Sequence, residues 1–192
     1  KDKMYNFDKL YYLYKCKKCG LIFLNPQPNQ FEINEHYPKS YIPFRTKEPS
    51  KFTIKIYKEL YSNEGNLILR ILLYPFKYVT RTSIIIKNGK ILDVGCGGGN
   101  YLLLMKSLNM KCYGIEPITI DYNFDNKKIK IFKGFISECR FPKEYFDVIT
   151  INHVLEHLNS PTADLLRLSQ FLKSDGKLII GIPNSDSLAF KI

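Results

Sequence analysis

No stretch of this chain is apolar for long enough to cross a bilayer: none of its 192 residues belongs to an apolar run of the ~18–20 positions that a span needs. Its first residues carry no secretory pattern. Cysteine is scarce and odd in number, five in all with no repeating framework. That argues against a disulfide-stapled scaffold and for a reducing, cytoplasmic compartment. Acid is in short supply as well: 18 Asp and Glu stand against 29 Lys and Arg, for a net charge of +11. The excess is mostly Lys, spread along the whole chain. Neither an Arg–aromatic stripe nor a nucleic-acid-binding signature accompanies it, so we read it as a solvated surface and expect no nucleic-acid partner. The length suits one main domain with a small appendage. A chain of this size buries roughly 70% of its unfolded surface, so the core needs no covalent staple.

What the chain does have is Lys90-Ile91-Leu92-Asp93-Val94-Gly95-Cys96-Gly97-Gly98-Gly99-Asn100, followed by the helical pattern of Tyr101 to Met105. An apolar strand ending near an acid, a glycine turn and a helix start form the nucleotide pocket of an open α/β sheet. Glycine lets the backbone turn sharply and lets a ligand come close, and a helix start favours a negative group. The dinucleotide fingerprint requires a sixth-position glycine; here that position is Asn100, which counts against an oxidoreductase using such a cofactor.

From Gly89 onward strands and helices alternate. We expect strands at 90–94, 111–115, 129–132, 146–151 and 177–182, and helices at 99–108, 118–126 (short) and 161–173. Ser160 can cap the last helix, Pro161 suits its first position, and Asp175-Gly176 turns the chain after it. Such alternation implies a parallel sheet. Glu116 closes the second strand, 21 residues after Gly95, near the ~20 expected of a ribose-binding acid. Upstream, Phe52, Ile56 and Leu60 have helical spacing. A second helical run from Leu67 to about Val79 must kink or end at Pro75. This run is basic and apolar, so a place at a membrane interface is one reading; packing on the sheet or over the substrate cleft is the reading we favour. Residues 30–37 read as a short helix, with His36 a surface residue in an irregular arm.

The glycine loop resembles motif I of class I S-adenosylmethionine-dependent methyltransferases, and two further runs resemble the same family. Phe146-Asp147-Val148-Ile149, continued by His153-Val154-Leu155-Glu156-His157, is similar to its fourth-strand motif. Leu172-Lys173-Ser174-Asp175-Gly176-Lys177-Leu178, with Pro183-Asn184, is similar to its L-K-P-G-G-x-L…P-N run. The resemblance implies a Rossmann-like three-layer αβα parallel sheet with an N-terminal hairpin and helical arm. The family's last two strands are not visible, so we expect the fifth strand to be an exposed edge or a dimer contact. The resemblance also implies S-adenosylmethionine at the carboxyl edge. Gly95, Cys96, Gly97 and Gly99 would wrap its methionine end, with Asp93 fixing the loop or reaching the ammonium through water. Glu116 would hold the ribose, Phe135 and Ile136 would lie by the adenine, Pro117 is counted among the cofactor-binding residues, and Asn152 and His153 would face the loop. His153 or His157, oriented by Glu156, is the candidate general base. His153-x-x-Glu156-His157 also spells the signature of inverted zinc proteases, but here it follows a core strand in a chain with a nucleotide loop.

Cys16-x-x-Cys19-Gly20, with Asn25-Pro26-x-Pro28 beyond it, resembles half of a zinc-ribbon module found ahead of some bacterial methyltransferases. Zinc usually needs four ligands, so Cys16 and Cys19 would hold it only with a second pair from upstream. The expected organisation is therefore residues 1–50 as cysteine-knuckle hairpin and arm, 51–88 as a helical segment covering the cleft, and 89–192 as a truncated methyltransferase core. The chain opens with Lys and stops where the pattern is still that of a domain interior, so we expect a fragment of a longer protein. The implied function is methyl transfer to a small-molecule acceptor, a sugar or envelope precursor by analogy; the alternative is a weakly active domain kept as a binding or scaffold module.

Overall fold

A computed structural model describes residues 11–28, 45–78, 80–118, 124–184 and 187. The expected helix at 30–37, His36, and most of the expected helix at 118–126 lie outside them. The chain divides into two units, one of residues 1–41 with 183–192, the other of residues 42–182. In the first, strands β1 (Leu13–Lys15) and β2 (Ile22–Leu24) pair antiparallel across the Cys16–Gly20 turn, where Gly20 N–H donates to Cys16 O at 2.9 Å.

The second unit carries α1 (Lys51–Tyr61), α2 (Leu67–Leu73), β3 (Lys90–Val94), α3 (Asn100–Ser107), β4 (Lys111–Glu116), β5 (Lys130–Lys133), β6 (Phe146–Asn152), α4 (Pro161–Phe171) and β7 (Leu172–Gly181). Strands β3 to β7 form one parallel sheet in the order β5-β4-β3-β6-β7. Both faces of such a sheet must be covered, and its central strands accordingly read as continuous apolar runs. Ile91, Cys112 and Val148 lie in one core cluster with Tyr57 of α1 and the buried run Tyr101–Met105 of α3. Leu92, Val94, Ile115, Ile149 and Ile151 lie in the other, with Leu168 and Phe171 of α4. The three-layer αβα fold implied by the resemblance is the fold observed.

Three local expectations are corrected. Ser160 precedes α4 but makes no side-chain cap bond; at φ −134° and ψ 65° it lies outside the extended region from which a cap oxygen reaches back. Asp175-Gly176 does not separate helix from strand. β7 begins directly after α4, and the pair is absorbed as a bulge: Phe146 faces Leu172 and Val148 faces Lys177, so two steps on β6 answer five on β7. The run after Leu67 does stop at Pro75 as an α-helix, continuing as a 3₁₀ turn over Tyr74–Tyr78, but α2 buries none of its residues, so it does not settle a face on the sheet.

The start of β6 is tied down by Asp147, which accepts from Lys173 Nζ at 2.6 Å and from the Lys90 N–H at 2.7 Å. Burial alone would push its carboxyl up, but the Lys173 contact and the Lys90 N–H outweigh it and hold it below the ordinary range. A depressed carboxylate stabilises the fold above its unfolded-state pKa, and that stability is lost as pH falls through the folded value. Lys173 is more than a third exposed, which discounts the ion pair. Asp147→Asn is therefore expected to cost on the order of 1 kcal/mol at neutral pH, with the difference from the parent protein shrinking below about pH 4. Urea unfolding at both pH values measures it.

Candidate functional site

The chain leaves β3 outward through β4 to β5 and then returns to β6 on the other side of β3. Such a reversal opens a crevice beyond the carboxyl ends of the two central strands. Three predicted groups arrive there: the glycine loop after Val94, Glu116 at the end of β4, and the Asn152–His157 stretch after β6.

The loop is held by backbone contacts that only glycine permits. Gly95, Gly97 and Gly99 have φ of 64°, 51° and 71°, in the left-handed region that other residues enter at a cost. A Cβ on Gly95 would lie 2.3 Å from Val154 Cγ2, and one on Gly99 would lie 2.4 Å from Phe124 Cε1. The first glycine motif and the His-Val-Leu-Glu-His motif thus touch through Val154. Glu116, only 5% exposed, accepts from the Gly97 N–H at 2.8 Å through Oε2 and from the Ile118 N–H at 3.1 Å through Oε1. Burial pushes its carboxyl up, opposed by those two N–H groups. Cys96 faces the core, where burial raises its thiol well above the usual value.

Asp93 is 1% exposed. Its Oδ1 accepts from Arg81 Nη2 at 2.5 Å and from Thr150 Oγ1 at 2.7 Å, and Oδ2 meets Arg81 Nη1 at 3.4 Å. The Arg81 guanidinium also lies 3.8 Å over the Tyr101 ring, the Arg81 backbone N–H donates to Tyr57 Oη at 2.9 Å, and Tyr101 Oη meets Ser83 Oγ at 2.9 Å. Burial works against the Arg81 charge, and the Asp93 carboxylate more than offsets it, so the group sits above its ordinary value. Asp93 therefore joins β3, β6 and the stretch after α2 just beneath the loop. Sequence reasoning does not reach Arg81, which lies in an irregular connection without a motif; the one signal that could have found it is the need to neutralise a buried acid.

Asn100 has a role that the glycine count hid. Its Nδ2 donates to Arg45 O at 2.8 Å, its Oδ1 accepts from the Lys47 N–H at 2.6 Å, and Thr46 Oγ1 donates to Gly98 O at 2.8 Å. Residues 45–47 form a strap across the loop and the first turn of α3.

At the third strand's turn, the Phe135 N–H donates to Glu138 Oε2 at 2.8 Å, and Ile136 is buried in the core cluster with Ile115 and Cys139. Phe135 and Pro117 are half-buried. At the end of β6, Asn152 pairs with Gly181, and just beyond it the His153 N–H donates to Gly181 O at 2.9 Å. His153 has φ 56°, a conformation His adopts more readily than most residues. The segment makes only a 3₁₀ turn, Leu155–His157. Glu156 Oε1 nevertheless stands 3.6 Å from His153 Nδ1 and 3.9 Å from His157 Nε2, with both imidazoles exposed. The zinc-protease alternative needs both histidines on one helix, and that helix is absent. Among the described residues no group of three or more His, Cys, Asp or Glu side chains comes together as a metal cage. Cys16 and Cys19 form no disulfide.

A family model described as a methyltransferase domain matches residues 68–190. An uncharacterized protein of Methanocaldococcus jannaschii is 34% identical over 102 residues, covering 53% of this chain and 44% of its own. A ubiquinone biosynthesis O-methyltransferase of Glaesserella parasuis is 29% identical over 115 residues, covering 54% of this chain and 49% of its own. The chain thus spans less than half the length of either. The crystal structure of an S-adenosylmethionine-dependent methyltransferase from Aquifex aeolicus aligns over 80% of this chain and 72% of its own at 19% identity, with a TM-score of 0.46.

Proposed function

This chain belongs to the class I S-adenosylmethionine-dependent methyltransferase family, and from that membership we propose that it transfers a methyl group to a hydroxyl or acidic carbon of a small-molecule acceptor. The observation that carries the reading is the meeting of Glu116, the Gly97 N–H and the Val154-covered Gly95 at the reversal of the sheet.

The residues fit the cofactor on two counts. At Gly95 and Gly99 the loop is bare backbone, and a Cβ there would collide with Val154 or Phe124. Each Glu116 oxygen accepts one N–H, which leaves each a lone pair for a ribose hydroxyl. Gly95, Gly97, Gly99 and the Cys96 backbone would hold the methionine end, Glu116 the ribose, and Pro117, Phe135 and Ile136 the adenine side. When bound, S-adenosylmethionine supplies a methyl group already activated on a sulfonium. What remains for the chain is to orient the acceptor and exclude water. Glu116 and Asp93 hold the loop in shape, Asn152 lies on the far wall, and His153 or His157 takes the acceptor's proton with Glu156 orienting the ring and stabilising the imidazolium. A hydroxyl acceptor agrees with the O-methyltransferase named above; a sugar or envelope precursor is the class we favour. Zinc would be held by Cys16 and Cys19 together with a second cysteine pair from upstream, as the resemblance implies. We take the outer edge of β7, where Leu178 and Ile180 are exposed, as the dimer contact.

Calorimetric titration with S-adenosylhomocysteine tests the reading. We expect binding, weakened at least ~10-fold in Glu116→Ala, which loses charge-assisted hydrogen bonds. Absence of binding in the folded parent protein would leave the scaffold alternative.

A further inference from the structure

The segment after Gly65 combines exposed apolar surface with one sign of charge. Leu67, Ile68, Ile71 and Leu72 of α2 are 66–69% exposed, and Tyr74 and Phe76 continue that surface through the 3₁₀ turn. Phe52 of α1, itself exposed, stands edge-on to Phe76. A monomeric domain rarely leaves this much contiguous apolar surface in water without a use for it.

The exposure is built in by specific bonds. Asn66 Oδ1 accepts the Ile68 and Leu69 N–H groups at 2.9 and 3.2 Å and so starts the helix. The guanidinium of Arg70 donates to Glu59 O at 3.0 Å and to Ser62 O at 2.6 Å, locking α2 to the carboxyl end of α1. Leu69 and Leu73 are half-buried. With that side fastened, the remaining leucines and isoleucines point to solvent.

Charge selects the partner. No Asp or Glu occurs between Gly65 and Leu92; of the cations there, Arg81 is paired with Asp93 and Lys87 with Glu64, and Lys77 is the one beside the apolar surface. Lys77 Nζ sits 5.5 Å from the Tyr74 ring, at the end of the apolar surface. On α1, Lys51, Lys55 and Lys58 are exposed at a spacing that shares one helical face, and Phe52 lies next to Lys51. An apolar strip bordered by cations, on a short helix with no acid, is the pattern that lies flat in a headgroup layer.

We propose that α2 and the following 3₁₀ turn dock the protein on an anionic lipid bilayer. The side chains of Leu67, Ile68, Ile71, Leu72 and Phe76 enter the headgroup–acyl boundary, and Lys77 with the α1 lysines rests on lipid phosphates. The contact is peripheral; among the described residues no helix is long and apolar enough to cross a membrane. It stands apart from the methyl-transfer reading, since none of these residues belongs to the crevice.

Flotation of the whole protein tests it, with vesicles of phosphatidylglycerol and phosphatidylcholine in equal parts and with phosphatidylcholine alone. We expect flotation with the anionic vesicles only. The variant Ile68→Ser/Ile71→Ser/Leu72→Ser should lower the partition coefficient about tenfold or more, with unchanged thermal unfolding and S-adenosylhomocysteine titration. Lys51→Gln/Lys55→Gln/Lys58→Gln should lower it by up to about fivefold per charge at low salt. If the triple serine variant does not fold, Ile71→Asp at the same exposed surface makes the comparison. Equal flotation of parent and variants, equal binding to phosphatidylcholine alone, or no flotation each overturns the proposal. Self-association lost in the serine variant, without vesicle binding, would assign the face to a second copy of the chain instead.

Discussion

Arg81→Met is expected to cost the fold about 3–5 kcal/mol, the range for breaking a buried pair by removing one partner. Asp93 sits in the central strand with 1% of its surface exposed and takes both guanidinium nitrogens of Arg81. Once the cation is gone, Thr150 Oγ1 is the remaining donor to the carboxylate, too little to replace a counter-charge. The substitution also removes the guanidinium stacked on Tyr101, a contact worth up to about 2 kcal/mol when desolvated. Arg81 itself is 21% exposed, so water can reach the vacated space, and the lower half of the range is the better expectation. Urea unfolding at neutral pH reads the loss. The double variant Arg81→Met/Asp93→Asn leaves no stranded charge, and its Asn oxygen can still accept from Thr150; it should recover most of the stability. Were the single variant to lose less than about 1 kcal/mol, as an exposed pair would, Asp93 would not need its partner and the junction beneath the loop would rest on packing alone.

Gly95→Ala is the second large effect, and it acts on binding as well as on stability. At φ 64° the new residue meets the left-handed penalty of about 1–2 kcal/mol. Its Cβ would also stand 2.3 Å from Val154 Cγ2. Val is β-branched and stiff at χ1, so relief requires the glycine loop or the 152–157 stretch to move. Overpacking of this kind costs about 1–3 kcal/mol. The loop that must move is the one read as holding the cofactor, so S-adenosylhomocysteine affinity should fall about tenfold or more, the equivalent of ~1.4 kcal/mol. Val154→Ala placed in the same chain removes the colliding methyl but not the backbone strain, and should restore binding in part. Calorimetric titration beside urea unfolding separates the two terms. A Gly95→Ala protein that binds like its parent would show that the ligand does not touch this loop.

Strands were legible wherever burial on both faces writes an unbroken apolar run. The expected 90–94 coincides with β3, β4 and β6 each run one residue longer than expected, and β5 is shifted by one residue at both ends. The edge strand was the exception, because β7 starts within the sequence expected to be helix and runs through the expected turn: β7 takes up Asp175-Gly176 as a bulge against β6, something the local dipeptide cannot express. Pro75 ended its helix for a reason carried by the residue itself. Ser160 carried the right chemistry for a cap, but its backbone angles are set by the loop from Leu158 and by Pro161. At the crevice, Asp93, Glu116 and the glycines were marked by spacing along the chain. Arg81, Val154 and the strap at 45–47 were not, since each matters through a contact with a distant residue of no fixed offset. Asn100 was visible yet read only as a missing glycine, when its amide is what receives the strap.

That amide has a consequence for anyone trimming the gene. A recombinant nucleotide domain begun at α1 would retain every motif residue of the crevice yet lose Arg45, Thr46 and Lys47. The side chain of Asn100 and the carbonyl of Gly98 would then turn to solvent, and the first turn of α3 would lose its outer brace. Such a shortened protein is a different binding object from the parent, and a weak titration from it would say nothing against the full chain.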